Sequence, residues 1–171
     1  MSAITYRDAA ESDAAALAAF ARATWLETFG HLPYPPDDLR SYLAEKYSEA
    51  KQREEIADPG LRYRLALREG EIVGYCLMGF LDLPVEDAHG LELWRLYVDE
   101  AVKGAGVAAA LMDDCIAWAR GRGANTLWLS VWEDNHRAQR FYRRYGFEHH
   151  GEWQFMVGNW ADRDLLWRLA L

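Results

Sequence analysis

Hydrophobic spacing along the chain changes period several times, and each change marks a new element. Ile4 and Tyr6 alternate with polar residues and predict a short strand. Ser12 is placed to cap a helix over which Leu17, Phe20, Ala21, Thr24, Trp25 and Thr28 recur at helical spacing. The stretch GHLPYPP breaks that helix, and Asp37 or Asp38 opens a second one carrying Leu39, Tyr42, Leu43 and Tyr47. Ser48 is a cap for a short third helix that stops near Asp58-Pro59-Gly60.

Beyond Gly60 the period drops to two. Tyr63, Leu65 and Leu67 alternate with arginines, Glu69-Gly70 reads as a hairpin turn, and Ile72 to Phe80 returns as a strand. A loop, LDLPVEDAHG, precedes a strand over Leu91 to Val98. A glycine-containing turn from Asp99 to Gly106 leads into a helix over Val107 to Arg122. Thr126 to Trp132 is apolar enough for a strand buried on both faces. A helix over Asn135 to Tyr145 ends at Gly146, and two strands follow, near Phe147 to Val157 and Arg163 to Leu169. The order predicts one α/β domain over residues 1–171, with a mixed, mostly antiparallel sheet of about seven strands flanked by helices.

Composition narrows the function classes. The 171 residues are 51% hydrophobic and 27% charged, which suits a packed core rather than disorder. A net charge of −8 argues against nucleic acid and suits a cationic partner. The two cysteines, Cys76 and Cys115, have no zinc-type spacing and read as reduced thiols in a cytoplasmic protein. No metal is expected: His149 and His150 are strand neighbours pointing to opposite faces, without a third ligand at suitable spacing. No apolar run approaches the ~20 residues of a membrane span, and MSAITYRDAAESD is not a signal peptide.

Two motifs carry chemistry. The strand LELWRLYV runs into DEAVKGAGVAAALM, a glycine turn opening a helix. Such a turn aims unpaired backbone N–H groups outward and can cradle a pyrophosphate, although the same glycines also serve an ordinary strand-to-helix turn. It lacks the Gly-Lys-Ser/Thr of a phosphate-binding NTPase loop and the third glycine of a dinucleotide fingerprint. The second motif lies in WLSVWEDNHRAQRFYRRYGF, where Asn135, Ala138, Phe141-Tyr142 and Gly146-Phe147 follow a buried strand.

Together these motifs resemble the GCN5-related N-acetyltransferase superfamily. Lys103-Gly104-Ala105-Gly106-Val107-Ala108 stands where that family has Arg/Gln-x-x-Gly-x-Gly/Ala, with lysine replacing the usual first residue. The second motif matches Asn-x-x-Ala-x-x-Phe/Leu-Tyr-x-x-x-Gly-Phe throughout. Looser similarity in LELWRLYV, WLSVWEDN, GEWQFMVGNWADRDLL and TWLETFGHLPYPPDDLRSYLAEKYS points to the bacterial spermidine/spermine branch.

The resemblance implies acetyl-CoA as donor and a small-molecule amine or a peptide as acceptor. It assigns Tyr142 as proton donor to the departing thiolate and Glu92 as general base, with substrate orientation or a surface position as the alternatives for Glu92. It assigns Leu96, Tyr97, Val98, Lys103 to Ala108, Asn135, Ala138 and Tyr142 to the cofactor. Trp25, Phe29, Tyr34, Glu92 and Trp94 are candidates for the acceptor pocket, and Glu27, Asp37 and Asp38 are further carboxylates for a polycation. Acetylation of a peptide N-terminus, a lysine or an amino-sugar drug stays open, as do a homodimer and a non-catalytic acyl-CoA-binding regulator.

Overall fold

The computed structural model describes residues 2–171. The chain runs β1 (Ile4–Asp8), a 3-10 turn (Glu11–Asp13), α1 (Ala14–Phe29), α2 (Pro36–Lys46), α3 (Glu49–Ala57), β2 (Leu61–Arg68), β3 (Glu71–Phe80) and β4 (Gly90–Val98). A second 3-10 turn (Glu100–Val102) leads to α4 (Val107–Gly121), β5 (Thr126–Trp132), α5 (His136–Arg144), β6 (Glu148–Val157) and β7 (Trp160–Ala170). All seven strands form one sheet in the order β1-β2-β3-β4-β5-β7-β6. Every neighbouring pair is antiparallel except β4 and β5, which are parallel.

Local chemistry explains most boundaries. Ser48 caps α3 by accepting the Lys51 N–H at 3.2 Å. Glu69 and Gly70 have φ of 55° and 86°, the paired left-handed conformations of a type I′ hairpin, so β2 and β3 turn tightly. Ser12, by contrast, does not cap α1. It lies inside the 3-10 turn, where the Asp13 carboxylate accepts the Ala10 N–H at 2.7 Å and is held by Arg7. A carboxylate tied to an arginine outcompetes the neighbouring hydroxyl. Helix α2 opens at Pro36, whose fixed φ suits a first turn, so Asp37 and Asp38 sit one step inside it. The last strand begins at Trp160, earlier than Arg163, because Gly158-Asn159 makes a two-residue turn.

The sheet is the middle layer. Helices α4 and α5 cover one face with Leu111, Met112, Cys115 and Tyr142 against Leu93, Leu127, Leu129 and Val131. Helices α1 to α3 cover the other with Leu17, Trp25, Tyr42 and Leu43 against Leu65, Tyr75 and Leu77. Leu127, Trp128 and Leu129 are consecutive and all buried, as expected of a strand covered on both sides. Each buried leucine contributes about 2 kcal/mol, so these two layers fix the sheet from which the site is cut.

Candidate active site

The site begins as a defect in the sheet. Strand β4 pairs with β5 only through Gly90, Leu91 and Glu92. A bulge opposite Leu77 and Met78 then inserts Trp94 as an extra residue, since Arg95 faces Leu77 and Leu93 faces Met78. Past Glu92 the two strands part, and the edge of Leu93–Val98 that faces β5 has no ladder partner. The gap opens into a cavity of about 1210 Å³. Leu96, Tyr97 and Val98 line it from β4, and Ser130, Val131 and Trp132 from β5. Free backbone N–H groups on a fixed edge can polarise a carbonyl placed between the strands.

One end of the cavity is built for an anion. Gly104 and Gly106 have φ of 86° and 81°, and an added Cβ at either would meet nothing within 4 Å. Gly106 is the left-handed N-cap of α4, and the first bond into the helix is Ala110 N–H to Gly106 C=O. The N–H groups of Val107, Ala108 and Ala109 therefore precede any intrahelical partner and face an open, unobstructed space. Lys103, Gly104, Gly106, Val107 and Ala108 all line the cavity, joined by Arg137, Arg140 and Arg144 from α5. The side chain of Lys103 is paired with Glu100. Ala105 departs from expectation: its N–H goes back to Val102 C=O at 3.1 Å, and it does not line the cavity. A glycine cradle, free helix N–H groups and nearby cations fit the pyrophosphate and phosphate of a coenzyme A molecule.

Helix α5 supplies the next wall. Asn135 accepts the Ala138 N–H at 3.2 Å and so caps the helix while still lining the cavity. Gln139 donates to the carbonyls of Glu133 and Trp132, at 2.7 and 3.3 Å, and locks the corner between β5 and α5. Ala138 and Tyr142 complete this wall. Tyr142 is 9% exposed, and burial, with a smaller contribution from Cys115, raises its phenol well above the ordinary range. A phenol so placed stays protonated.

The opposite end is acidic and aromatic. Glu92 is buried, and its carboxylate accepts the Asp82 N–H at 2.8 Å. Burial dominates and pushes its pKa up to about 7, against that bond and one from the Leu83 backbone. Asp164 on β7 is also buried and lines the same cavity. Burial likewise pushes Asp164 up to about 7, while the Ser130 hydroxyl, 3.1 Å away, partly offsets it. Tyr34 donates to Asp162 at 2.6 Å, and the Trp160 indole donates to the same carboxylate at 2.9 Å. Trp25, Phe29, Tyr34 and Trp94 all reach the cavity wall, although Trp25 is mainly the centre of a cluster with Phe29, Tyr34, Tyr42 and Tyr47. Trp94 is held by donating to Phe80 C=O at 2.9 Å. The one arginine at this end, Arg95, is tied to buried Glu55 at 2.9 Å and lies over the Tyr47 ring, so its charge is already compensated.

Glu27 reaches the cavity, but Asp37 and Asp38 do not. Asp37 pairs with Arg40 on the surface, and Asp38 accepts the Asn159 N–H at 3.2 Å beneath the β6–β7 turn. Helix α2 is anchored by buried Tyr42 and Leu43, and its first turn holds both carboxylates outside the cavity. Sequence reasoning missed Asp164, Asp162 and Ser130. The signal was present: Asp162 and Asp164 are two apart on one strand and share a face, but only once the strand is extended back to Trp160. His149 and His150 do point to opposite faces, packing against Trp167 and Trp128 respectively.

Comparison with known proteins accords with this geometry. The model of the acetyltransferase (GNAT) family matches residues 17–147. An uncharacterized N-acetyltransferase of Lactobacillus delbrueckii is 31% identical over 163 residues, covering 94% of both chains. A spermine/spermidine N(1)-acetyltransferase of Bacillus subtilis is 30% identical over 110 residues, covering 63% of this chain and 69% of its own. Among solved structures, the PaiA N-acetyltransferase of Thermoplasma acidophilum in complex with coenzyme A superposes with a TM-score of 0.79 at 20% identity, over 99% of each chain.

Proposed function

The chain belongs to the acetyltransferase (GNAT) family, whose members use acetyl-CoA as acetyl donor, and on that premise we propose that it acetylates an amine of a polycationic small molecule such as spermidine. The observation that carries this reading is the division of one cavity into a cradle for an anion at α4 and a buried acid–aromatic end at Glu92 and Asp164. Three further facts support a cationic acceptor. Arg95, at the acid end, is compensated by Glu55, and Lys46 and Lys51, which also line the cavity, are paired with Glu45 and Glu54. The chain carries a net charge of −8. The Bacillus subtilis relative is named for spermine and spermidine, although the similarity covers 63% of this chain.

Acetyl-CoA supplies the activated acetyl group as a thioester. The free N–H groups at the start of α4 hold the pyrophosphate, with Lys103 and the α5 arginines beside it. The unpaired edge of β4 at Leu96–Val98 receives the pantetheine and polarises the thioester carbonyl. Glu92, ionised above pH 7, takes the proton of the attacking amine, directly or through one water. Tyr142 gives its proton to sulfur as the carbon–sulfur bond breaks. The apolar walls desolvate the reacting amine and favour its neutral, nucleophilic form.

The test is thiol release from acetyl-CoA with spermidine, a peptide with a free N-terminus, lysine and an aminoglycoside. Spermidine should exceed the others in kcat/KM by at least tenfold. A peptide, lysine or drug that wins by that margin replaces the acceptor and leaves the transferase in place. Tight coenzyme A binding with no thiol release to any amine makes the chain a regulator that binds acyl-CoA.

A further inference from the structure

Three strands bring three side chains into one row. In the sheet register Trp132 of β5 lies opposite Asp164 of β7, and Trp153 of β6 lies opposite the same residue. Directly paired residues share a face with Cβ atoms about 5 Å apart, so Asp164 stands between two tryptophan positions. All three line the cavity. The next position on that face of β7 is Asp162, paired across to Phe155 on β6, so charge and aromatic surface continue outward.

Asp164 is 7% exposed, and among the described residues its only hydrogen-bond partner is the Ser130 hydroxyl, 3.1 Å from Oδ2. A buried carboxylate normally takes an arginine, a lysine or several N–H donors. Glu92 meets that need in part from the Asp82 N–H; among the described residues Asp164 has no backbone donor and no cation. The Trp153 indole N–H beside it is likewise buried without a partner. A carboxylate with spare acceptor sites, with tryptophans on both neighbouring strands, is complementary to an alkylammonium group.

We propose that Asp164, framed by Trp132 and Trp153, is a specificity-determining residue that binds a second, non-reacting ammonium group of the acceptor, so the site selects diamines and longer polyamines over monoamines. The inference rests on the proposed acetyl transfer to amines. It separates two tasks: Glu92 serves the amine that reacts, and Asp164 the one that does not. The methylenes between them lie along the aromatic wall.

The experiment compares 1,5-diaminopentane with pentylamine, which differ only in the second amine. Initial rates are measured for the wild type, Asp164→Asn and Trp153→Leu, each checked for coenzyme A binding and thermal melting. The wild type should favour the diamine by at least tenfold in kcat/KM. Asp164→Asn should lower the diamine value by roughly 30-fold, through KM, and leave pentylamine within about twofold. Trp153→Leu should act in the same direction by roughly fivefold, which keeps the test open if the asparagine variant does not fold. Equal loss on both amines, loss through kcat alone, or equal wild-type rates on both amines would overturn the role of Asp164 and leave the transferase intact. Thiol release with neither amine, but with a peptide or an aminoglycoside, would overturn the small-amine acceptor and the role of Asp164 with it, and leave the transferase in place.

Discussion

The two ends of the cavity were assembled by different means. The anion end is local: a glycine turn, the start of α4 and one wall of α5 lie within Lys103–Tyr142 and are coded by contiguous motifs. The acid–aromatic end is distributed. Glu92 comes from β4, Ser130 and Trp132 from β5, Trp153 from β6, Asp164 from β7, and Tyr34 from the segment before α2. A phosphate cradle needs little beyond backbone N–H groups at a helix start, so one short pattern can specify it. A pocket for an aliphatic cation needs side chains converging from several directions, which only the sheet register provides. Donor binding is therefore expected to survive changes that remove acceptor binding.

The comparison breaks most severely at Arg95. Removing its guanidinium leaves Glu55 buried and unpaired beneath the acid end, which should destabilise the fold by about 3 kcal/mol in Arg95→Met. Urea unfolding measures this; a loss under ~1 kcal/mol would mean that Glu55 is rescued by Tyr63, which donates to it at 2.5 Å. Tyr142→Phe tests the wall shared by both ends. It should cut kcat by about 10²-fold and leave coenzyme A affinity nearly unchanged, read by single-turnover kinetics and calorimetry.

The wild-type rate should rise as pH passes about 7, and Glu92→Gln should lower kcat/KM by roughly tenfold or more and remove that rise. The same carboxylate has a stability signature. Burial raises Glu92 from 4.5 and Asp164 from 3.8 to about 7, so the folded state favours their protonated forms. Their stabilising effect is complete below the ordinary carboxylate range and is lost as pH rises through about 7. The melting temperature of the wild type should fall between pH 5 and pH 8, and the Glu92→Gln, Asp164→Asn double variant should show less of that fall. The smallest effect is at Lys103. Its ammonium is already paired with Glu100, so Lys103→Ala should weaken coenzyme A binding by only about threefold, measurable by calorimetry.

These differences also explain what could be read from the chain itself. Hairpin and helix boundaries at Glu69-Gly70, Ser48 and Gly106 were legible because each rests on a single residue's conformation or cap. Asn135, Ala138 and Tyr142 share the α5 wall because helical spacing fixes their faces. Asp164, although inside the strand expected over Arg163 to Leu169, was not legible as a site residue, because its place depends on which strands lie beside β7, and no local rule sets the order β5-β7-β6. Asp37 and Asp38 failed for a similar reason: which way the first turn of α2 faces is set by the packing of Tyr42 and Leu43 against the other elements, which no local rule gives.

The division of the cavity is tested most directly by titrating coenzyme A calorimetrically into the wild type, Gly106→Val and the Glu92→Gln, Asp164→Asn double variant. Valine at Gly106 must adopt a φ near 81° and fills the open space above the turn, so affinity should fall by about 10²-fold. The double variant should bind coenzyme A within about twofold of the wild type. Full-strength binding by Gly106→Val, together with a loss in the double variant, would place the donor at the acid end and contradict the account.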